Sequence, residues 1–362
     1  MTRFCVFCGD KPEGKTKEHV IPQWLIGMTG NPKREGNFGF KKTGNGAELR
    51  KFAFDQFTFP ACDSCNNEYS TLEANAKPII ERILNDGRVT AKEMALFLDW
   101  LDKVRVGIWL GLILLDKTHL DENVLARVEP QFHIKKRIGQ FDRLLIVEKF
   151  ESKMTRLSIG GVDSFAFRTT PSAFKLTINN VCFTNISSMF LVSHRLGFPY
   201  PSKLFLSQNR EELGVKLEDG TCRIKSPVLR KNIKEKGVMY VQPMFPNLLT
   251  DSKLDEYDSE YVKAHSLDYE AGAGNIFEQL SCGVKEYSGD ELIFPTCQVQ
   301  ANENSFQIRS LVNIYEWQNW ILDNFSPDVS DLTEDQKRFI KSRFKSATKI
   351  NNMFISHYNA ML

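Results

Sequence analysis

Hydrophobic periodicity predicts a helix about a fifth of the way along the chain. Ser70 and Glu73 have the spacing of a capping box, in which two side chains satisfy free N–H groups of a first helical turn. Apolar residues then recur three and four positions apart through residues 72–84, and the Asn85-Asp86-Gly87 turn follows. The pattern therefore predicts a helix that begins near Cys65 and ends before this turn.

A second and more apolar helix follows the first. Thr90 and Glu93 again have capping-box spacing, and a wide apolar stripe continues to about Leu115. A stripe of this width predicts a helix that is largely buried. Its most apolar window, residues 104–115, is about 12 residues long, whereas roughly 20 are needed to cross a bilayer. We therefore expect no association with a membrane.

Beyond residue 118 the period of the apolar residues shortens to that of strands, with polar and glycine-containing turns between the runs. The predicted strands are Leu144–Val147, Thr155–Ile159, Lys175–Ile178, Met189–Val192, Val238–Val241 and Leu292–Pro295. A mixture of helical and strand patterns that are not regularly alternated predicts the α+β class.

Two more helices are predicted near the C-terminus. One covers residues 312–325, and the other begins at Thr333, which has capping-box spacing to Gln336, and runs to about His357. Residues 337–349 of the last helix are rich in basic residues, namely Lys337, Arg338, Lys341, Arg343, Lys345 and Lys349. The elements divide the chain into residues 1–72, a helical bridge (73–117), an α+β domain (118–330) and a C-terminal basic helix (331–362).

Composition and charge exclude several classes of protein. The 362 residues are 42% hydrophobic, which is enough apolar material for a sizeable core and excludes disorder as the main state. Lys and Arg total 47 against 45 Asp and Glu, so a uniformly basic nucleic-acid-binding coat is also excluded. The first five residues are not part of an apolar signal-peptide stretch. We therefore expect a cytoplasmic protein.

The eight cysteines are expected to be metal ligands or buried thiols, because the cytoplasm is reducing. Four of them form two C-x-x-C pairs, Cys5 with Cys8 and Cys62 with Cys65. Each such pair bends the chain so that two thiolates reach one ion, and two pairs complete a tetrahedral four-cysteine site. The spacing therefore predicts a structural Zn²⁺ ion.

Polar residues whose side chains can bind a metal or accept a proton accompany both pairs. Glu18 and His19 close a strand-like segment between the pairs, and Asn66 follows Cys65 directly. A zinc ion would hold these segments together and bring a carboxylate, an imidazole and a carboxamide towards one point. Oxygen ligands suit Mg²⁺ or Mn²⁺, and a free imidazole can take a proton from water.

The combination C-x-x-C, Glu-His-Val-Ile-Pro, then C-x-x-C-Asn resembles the HNH, or ββα-metal, endonuclease superfamily. The residues that carry the resemblance are Cys5, Cys8, Glu18, His19, Pro22, Cys62, Cys65 and Asn66. The form with Glu-His-Val-Ile-Pro resembles bacterial members, several of them in phage defence or restriction. The resemblance covers residues 1–72 and implies a small zinc-stapled ββα-metal nuclease lobe. The middle Asn of the family has no clear match, although Asn45 lies in the right interval.

The resemblance implies roles for three residues. His19 matches the family's general base, and Glu18 and Asn66 match the ligands of one catalytic Mg²⁺ or Mn²⁺ ion. The expected activity is hydrolysis of phosphodiester bonds in DNA. Basic residues in the interval between the cysteine pairs are candidates for contact with flanking phosphates, namely Lys41, Lys42, Arg50 and Lys51.

Two alternatives stay open at this point. The lobe could instead be a non-catalytic, zinc-stapled module of a nucleic-acid-binding adaptor, although such a module needs neither the Glu-His pair nor the Asn after the second knuckle. The nuclease could also act on RNA, which the motif does not distinguish from DNA. In the preferred hypothesis of a metal-dependent nuclease, residues 118–362 are expected to recognise a substrate, an activating ligand or a protein partner.

Overall fold

A computed structural model describes residues 5–12, 14, 16–43, 46–115, 142–168, 172–188, 193, 198, 200–206, 213–218, 237–244, 264–268, 271–280, 283–325 and 333–362. The helices are α1 (Gln23–Met28), α2 (Asp63–Leu84), α3 (Ala91–Leu115), α4 (Glu303–Asn324) and α5 (Glu334–Asn359). The strands are β1 (Lys17–His19), β2 (Glu35–Thr43), β3 (Gly46–Ala53), β4 (Thr58–Pro60), β5 (Val89–Thr90), β6 (Asp142–Phe150), β7 (Leu157–Gly160), β8 (Ser172–Ile178), β9 (Val181–Ser188), β10 (Tyr200–Leu206), β11 (Leu213–Glu218), β12 (Val238–Pro243), β13 (Ser266–Asp268), β14 (Ala273–Gly274), β15 (Ile276–Leu280), β16 (Gly283–Tyr287), β17 (Leu292–Ile293) and β18 (Gln298–Val299).

A small N-terminal lobe is built on β1, β4 and the start of α2. The two strands are antiparallel, and His19 lies opposite Thr58. α2 follows β4 within three residues, so the local order is strand, strand, helix. The ring of Phe7 stacks on Tyr69 of α2 with 4.1 Å between centroids and holds the first cysteine loop against the helix. α1 and the β2–β3 hairpin lie within the connection between β1 and β4.

The two predicted helices of the bridge are confirmed as α2 and α3, with one difference at the first. α2 begins at Asp63 with Cys62 as its N-cap, so Ser70 lies inside the helix and donates to the Asn67 carbonyl over 2.7 Å. The capping box predicted at Ser70 is therefore wrong. The box at Thr90 and Glu93 is confirmed, because each side chain accepts from the other residue's N–H, over 3.1 and 2.9 Å.

The larger part of the molecule is organised around an eight-stranded sheet. Its strand order is β16-β15-β12-β6-β9-β8-β7, and β18 lies parallel to the end of β6. Both faces are covered: Leu145 and Phe174 belong to the core shared with α3, whereas Leu144 and Ile146 pack with α4 residues on the other side. The sheet is thus a middle layer between helices, and the mixed helix-and-sheet architecture agrees with the predicted α+β class.

The predicted strands within the described residues differ in how well they are reproduced. Leu144–Val147, Lys175–Ile178 and Val238–Val241 lie inside β6, β8 and β12. The strand predicted at Thr155–Ile159 begins later, at Leu157, and only Leu292 and Ile293 of the run 292–295 form a strand. The run 189–192 and Asn45 lie outside the described residues.

The last two helices form a further layer on the sheet. α4 begins earlier than predicted, at Glu303, where Asn302 caps it by accepting from Ser305 N over 2.9 Å. α5 packs on α4 and begins with the predicted capping box between Thr333 and Gln336, which is confirmed. The basic residues on its exposed side include Lys341, Lys345 and Lys349.

The lobe rests directly on the backbone of α3, because two glycines of that helix face it. A methyl group at Gly107 would lie 2.8 Å from a Val20 side-chain carbon, and one at Gly111 would lie 2.5 Å from the Phe59 ring. Both distances are shorter than carbon atoms allow. β1 and β4 can therefore approach α3 closely only because these positions lack side chains.

Within the part of the chain that the structure describes, no helix combines the length and apolar character that a membrane crossing requires.

Candidate functional site

The four cysteines of the two C-x-x-C pairs meet at one point, as predicted. Their sulfur atoms all lie within 4.8 Å of one another, and Cys8 Sγ is 3.8 Å from Cys62 Sγ. Burial alone raises the pKa of the Cys5 thiol, but N–H groups of Cys8, Cys62 and Phe7 outweigh burial, so the net pKa is lowered. Such bonds favour the thiolate, which is the form that binds metals. The cluster of Cys5, Cys8, Cys62 and Cys65 could hold a metal such as zinc.

The position of the cysteine cluster explains what a metal would fix. One pair lies in the loop before β1, and the other spans the N-cap and first turn of α2. Val6 of the first loop also donates to the Pro60 carbonyl of β4 over 3.0 Å. The cluster therefore anchors the beginning of α2 against the β1–β4 pair.

The adjacent residues Glu18 and His19 point to opposite faces of β1, because successive side chains of a strand alternate. Glu18 is buried opposite Phe59, on the side of the lobe that packs against α3. His19 lies on the other face, half-buried, together with the exposed Lys17. The structure therefore does not direct the predicted carboxylate and imidazole towards one point.

His19 is oriented by a backbone carbonyl. Its Nε2 lies 3.0 Å from the Asp55 carbonyl oxygen and 3.2 Å from the side-chain amide of Gln23. A carbonyl can only accept, so the contact with Asp55 is a hydrogen bond when Nε2 carries the proton. The atom of Gln23 that faces the ring is Nε2, also a donor, so this tautomer requires the Gln23 amide to be turned over so that its oxygen faces the ring. No described residue hydrogen-bonds to Nδ1. In the neutral ring this tautomer leaves the lone pair on Nδ1.

The Asp55 carbonyl is itself held in place. Asp55 is the middle residue of a 3₁₀ turn, Phe54–Gln56, and its N–H donates to the Pro32 carbonyl over 3.3 Å. The guanidinium of Arg34 lies over the Phe54 ring, 4.7 Å from its centroid, and donates to the Ile26 carbonyl over 3.1 Å. These contacts lock the turn onto α1, so the orientation of His19 is set by the insertion between β1 and β4.

Glu18 binds a buried lysine of α3. The ammonium group of Lys103 forms ion pairs with the carboxylates of Glu18 and Glu73 and donates to the His19 carbonyl over 3.2 Å. The Lys103 side chain is 0% exposed, against 10% for Glu18 and 18% for Glu73. Burial raises the pKa of the Glu73 carboxyl, and the neighbouring Glu18 adds to this, whereas Lys103 opposes it.

Asn66 lies in the first turn of α2, and its N–H donates to the Cys62 carbonyl over 2.9 Å. Its side chain is half-buried and has no hydrogen bond to a described residue. Asn66 and Glu73 are seven positions apart, so they lie on one face of α2 with about 10 Å of helix between them. Glu18 meets this face at Glu73 and not at Asn66.

The four predicted phosphate contacts all lie on the β2–β3 hairpin. Lys41 and Lys42 are in β2, where Lys41 pairs with Glu48 in the backbone register, and their side chains lie outside the described structure. Arg50 and Lys51 are in β3, and Lys51 is exposed. The hairpin thus carries all four basic positions in one element of the lobe.

A groove beside β1 was missed by the sequence analysis. It follows the edge where Lys17 and Thr58 lie, and its further lining residues are Pro12, Gly14, Thr16, Phe59 and Pro60. Lys17 shares a face of β1 with His19. The alternation of a short strand that ends in His19 would have identified Lys17 as its neighbour.

The buried Lys103 and the Asp55 carbonyl were also missed. Lys103 lies in the buried middle of α3, and a lysine at the centre of a buried helix requires a partner, so the sequence did contain a signal. The Asp55 carbonyl has no signal in the sequence, because any residue offers the same backbone group.

Comparison with protein-family models, with curated proteins and with solved structures finds no match to this chain.

Proposed function

We propose that this chain is an endonuclease that hydrolyses phosphodiester bonds in DNA, with His19 as the general base. The proposal is carried by one observation, the 3.0 Å contact between His19 Nε2 and the Asp55 carbonyl oxygen, which is a hydrogen bond in the Nε2–H tautomer. A neutral histidine held in this way presents Nδ1 as a proton acceptor. The resemblance of residues 1–72 to the HNH superfamily and the assembled cysteine cluster support the same assignment.

The chemistry assigned to His19 is removal of a proton from the water that attacks phosphorus. A positioned base of this kind typically contributes about 10²–10⁴-fold in rate. The exposed ammonium of Lys17, on the same face of β1, is placed to bind a phosphate oxygen next to the reacting group. Arg50 and Lys51 extend the basic surface along the hairpin, so affinity should depend on salt concentration.

The donor atoms of the lobe fit one of the two metals that the resemblance implies better than the other. Four sulfur donors suit Zn²⁺, and their proximity fits a structural ion. Carboxylate and amide oxygens suit Mg²⁺ or Mn²⁺, but the carboxylate of Glu18 pairs with Lys103 and meets α2 away from Asn66. Glu18 and Asn66 therefore do not form a ready site for a catalytic ion.

The engagement of Glu18 by Lys103 favours the alternative in which the lobe is a non-catalytic nucleic-acid-binding module. In that case the cysteine cluster would hold the lobe together, Lys17 and the β2–β3 hairpin would bind a phosphate backbone, and His19 would only complete the surface. The same surface suits RNA as well as DNA, because phosphate contacts carry no information about the sugar.

A nicking assay distinguishes these functions. Wild-type protein and His19→Ala are incubated with supercoiled plasmid, or with a labelled RNA, in Mg²⁺, Mn²⁺ or Ni²⁺. Loss of a general base should lower turnover by about 10² or more, while binding and melting temperature barely change. Lys33→Ala, an exposed basic residue outside the hairpin strands, serves as the matched control.

The nuclease proposal fails if His19→Ala cleaves like wild type. It also fails if neither nucleic acid is cut in any of the three metals while both proteins still bind it; the binding module then becomes the better account. Cleavage of RNA alone would keep the mechanism and change the substrate.

A further inference from the structure

The Lys103 ammonium connects the two elements on which the proposed site depends. It has three N–H donors, and three acceptors surround it: the carboxylates of Glu18 and Glu73 and the carbonyl of His19. Two of these acceptors belong to β1 and one belongs to α2. Because the side chain is wholly buried, no water competes for these bonds.

The charges of this cluster make it sensitive to change. One ammonium faces two carboxylates, and both carboxylates are mostly buried. Without the ammonium, two like charges would share a site of low dielectric, and β1 and α2 would repel each other there. The His19 carbonyl would also lose a charge-assisted bond.

The cluster complements the cysteines in position. The cysteines fix the first turn of α2, whereas Lys103 binds the same helix through Glu73, about three turns along. Lys103 also binds the backbone carbonyl of His19. The residue is therefore held at two points: its ring contacts the Asp55 carbonyl through Nε2, and its backbone carbonyl accepts from Lys103 of α3.

The helix that presents Lys103 is fixed in turn to the sheet. Arg143 of β6 is wholly buried and pairs with Asp99 over 2.7 Å and with Asp102 over 3.0 Å, both on α3. Arg105 of α3 donates to Ser172 of β8. α3 therefore has a rigid support, and the position of Lys103 is not free to adjust to a shifted β1.

We infer that Lys103 is a positioning residue for His19. The effect that this positioning has on catalysis rests on the proposed function. It sets the depth and angle at which β1 presents the imidazole, and it does so through the backbone of His19 and through Glu18. A misplacement of about 1 Å in a reacting group can lower a rate by about 10²-fold, so a shift of β1 is expected to be costly.

The test separates an effect on the position of His19 from an effect on stability. It does so with a double variant that removes the ammonium and one of its two carboxylates together. Lys103→Met leaves two buried carboxylates unpaired and is expected to lower the melting temperature. The double variant Lys103→Met/Glu73→Gln removes one of those charges and should recover most of the melting temperature, without restoring the bond to the His19 carbonyl. Lys92→Met, an exposed lysine near the start of α3, is the control.

Two measurements are made on the zinc-loaded 362-residue chain. In the nicking assay the double variant should keep kcat reduced by about 10-fold or more, with KM close to wild type, because misplacement acts on the reacting geometry. In ¹⁵N-resolved NMR of the histidine rings, wild type should show His19 as a single Nε2–H tautomer, and the double variant should show exchange between tautomers.

A double variant that recovers kcat together with melting temperature would overturn the inference, since Lys103 would then be structural only. So would a His19 signal identical in wild type and double variant. The NMR measurement needs no activity, so it decides the role of Lys103 even if wild type cuts nothing and the proposed function fails.

Discussion

The N-terminal lobe and the sheet are stabilised in different ways. In the lobe, a few point interactions join short elements: four cysteine sulfurs within 4.8 Å, one buried ammonium and a carbonyl that orients His19. In the sheet, long strands are buried on both faces, and every residue of β8 and β9 is buried. Stability there is spread over many apolar contacts.

This difference has a consequence for function. Point interactions fix a few groups accurately, but each can be removed by one substitution, by a chelator or by a change of charge. Distributed burial tolerates single changes better and provides a stable base. The lobe carries the candidate chemistry, and α3 transmits the stability of the sheet to it through Gly107, Gly111 and Lys103.

The largest expected effect is loss of the lobe on removal of a cysteine ligand. Apparent binding energies of structural zinc are about 10 kcal/mol or more, which exceeds what a lobe of this size can replace. Cys62→Ser should therefore unfold the lobe while the sheet persists. Hydrogen exchange should show loss of protection in β1 and β4 but not in β6 and β9.

Zinc analysis completes this experiment. Wild type should contain about one Zn²⁺ per chain, and Cys182→Ser, at a buried cysteine outside the cluster, should retain it. Two results would contradict the claim that the lobe depends on a metal for its stability. One is the absence of zinc from freshly purified wild type, and the other is a Cys62→Ser protein whose lobe keeps its protection from hydrogen exchange.

A core truncation in the sheet should act on the whole molecule instead. Phe174 in β8 is wholly buried in the core shared with α3, and Phe→Ala changes at such sites cost about 3–5 kcal/mol. The urea unfolding curve of Phe174→Ala should shift to lower urea concentration as a single transition. Zinc should stay bound at urea concentrations below that transition. Loss of the lobe alone in this variant would show that the two regions are less coupled than their shared core indicates.

Much of this fold could be predicted from local patterns. The helices α2 and α3 and the strands β6, β8 and β12 have strong periodicity, and two of three capping boxes are formed as spaced. β9 was missed, although it lies between β6 and β8, because polar residues such as Asn185 interrupt its apolar run. Its two-residue turn from β8, where Asn179 has φ of +53°, was the available signal.

The site was predictable only in part. The C-x-x-C spacing located the cysteine cluster, because ligand spacing is a local property. The directions of Glu18 and His19 depend on the register of β1 with β4, and the partner of Glu18 is 85 positions away on α3. Contacts of that separation leave no local pattern in a single sequence.

A smaller effect is expected where the lobe meets α3. Gly111→Ala places a methyl group 2.5 Å from the Phe59 ring, and overpacking of this kind costs about 1–3 kcal/mol. Phe59 belongs to β4 and lies opposite Glu18 of β1, so the lobe should unfold at a lower temperature than the sheet. Gly27→Ala in α1 is the control, because no atom of the described residues beyond the neighbouring backbone of α1 lies within 4 Å of the added methyl group. Equal melting curves for both variants would contradict close packing of the lobe on α3.

The smallest expected effect concerns the turn between α2 and α3, which is tied to the sheet by Asp86. Its carboxylate lies 2.5 Å from Lys149 Nζ of β6 and accepts from Thr296 over 3.0 Å. Partial burial raises the pKa of Asp86, but these bonds outweigh it, so its folded-state pKa lies below the ordinary value of 3.8.

A lowered carboxyl pKa stabilises the folded state above the unfolded pKa, and this contribution is lost as pH falls through the folded pKa. Asp86→Asn keeps a residue that tolerates the positive φ of 58° but does not titrate. Because the Asp86 side chain is 61% exposed, solvent screening limits the loss at pH 7 to about 0.5 kcal/mol. Urea denaturation at pH 7 and below pH 3.8 should show this difference shrinking with acidification. A difference that grows instead would mean that Asp86 does not hold the helices to the sheet through its charge.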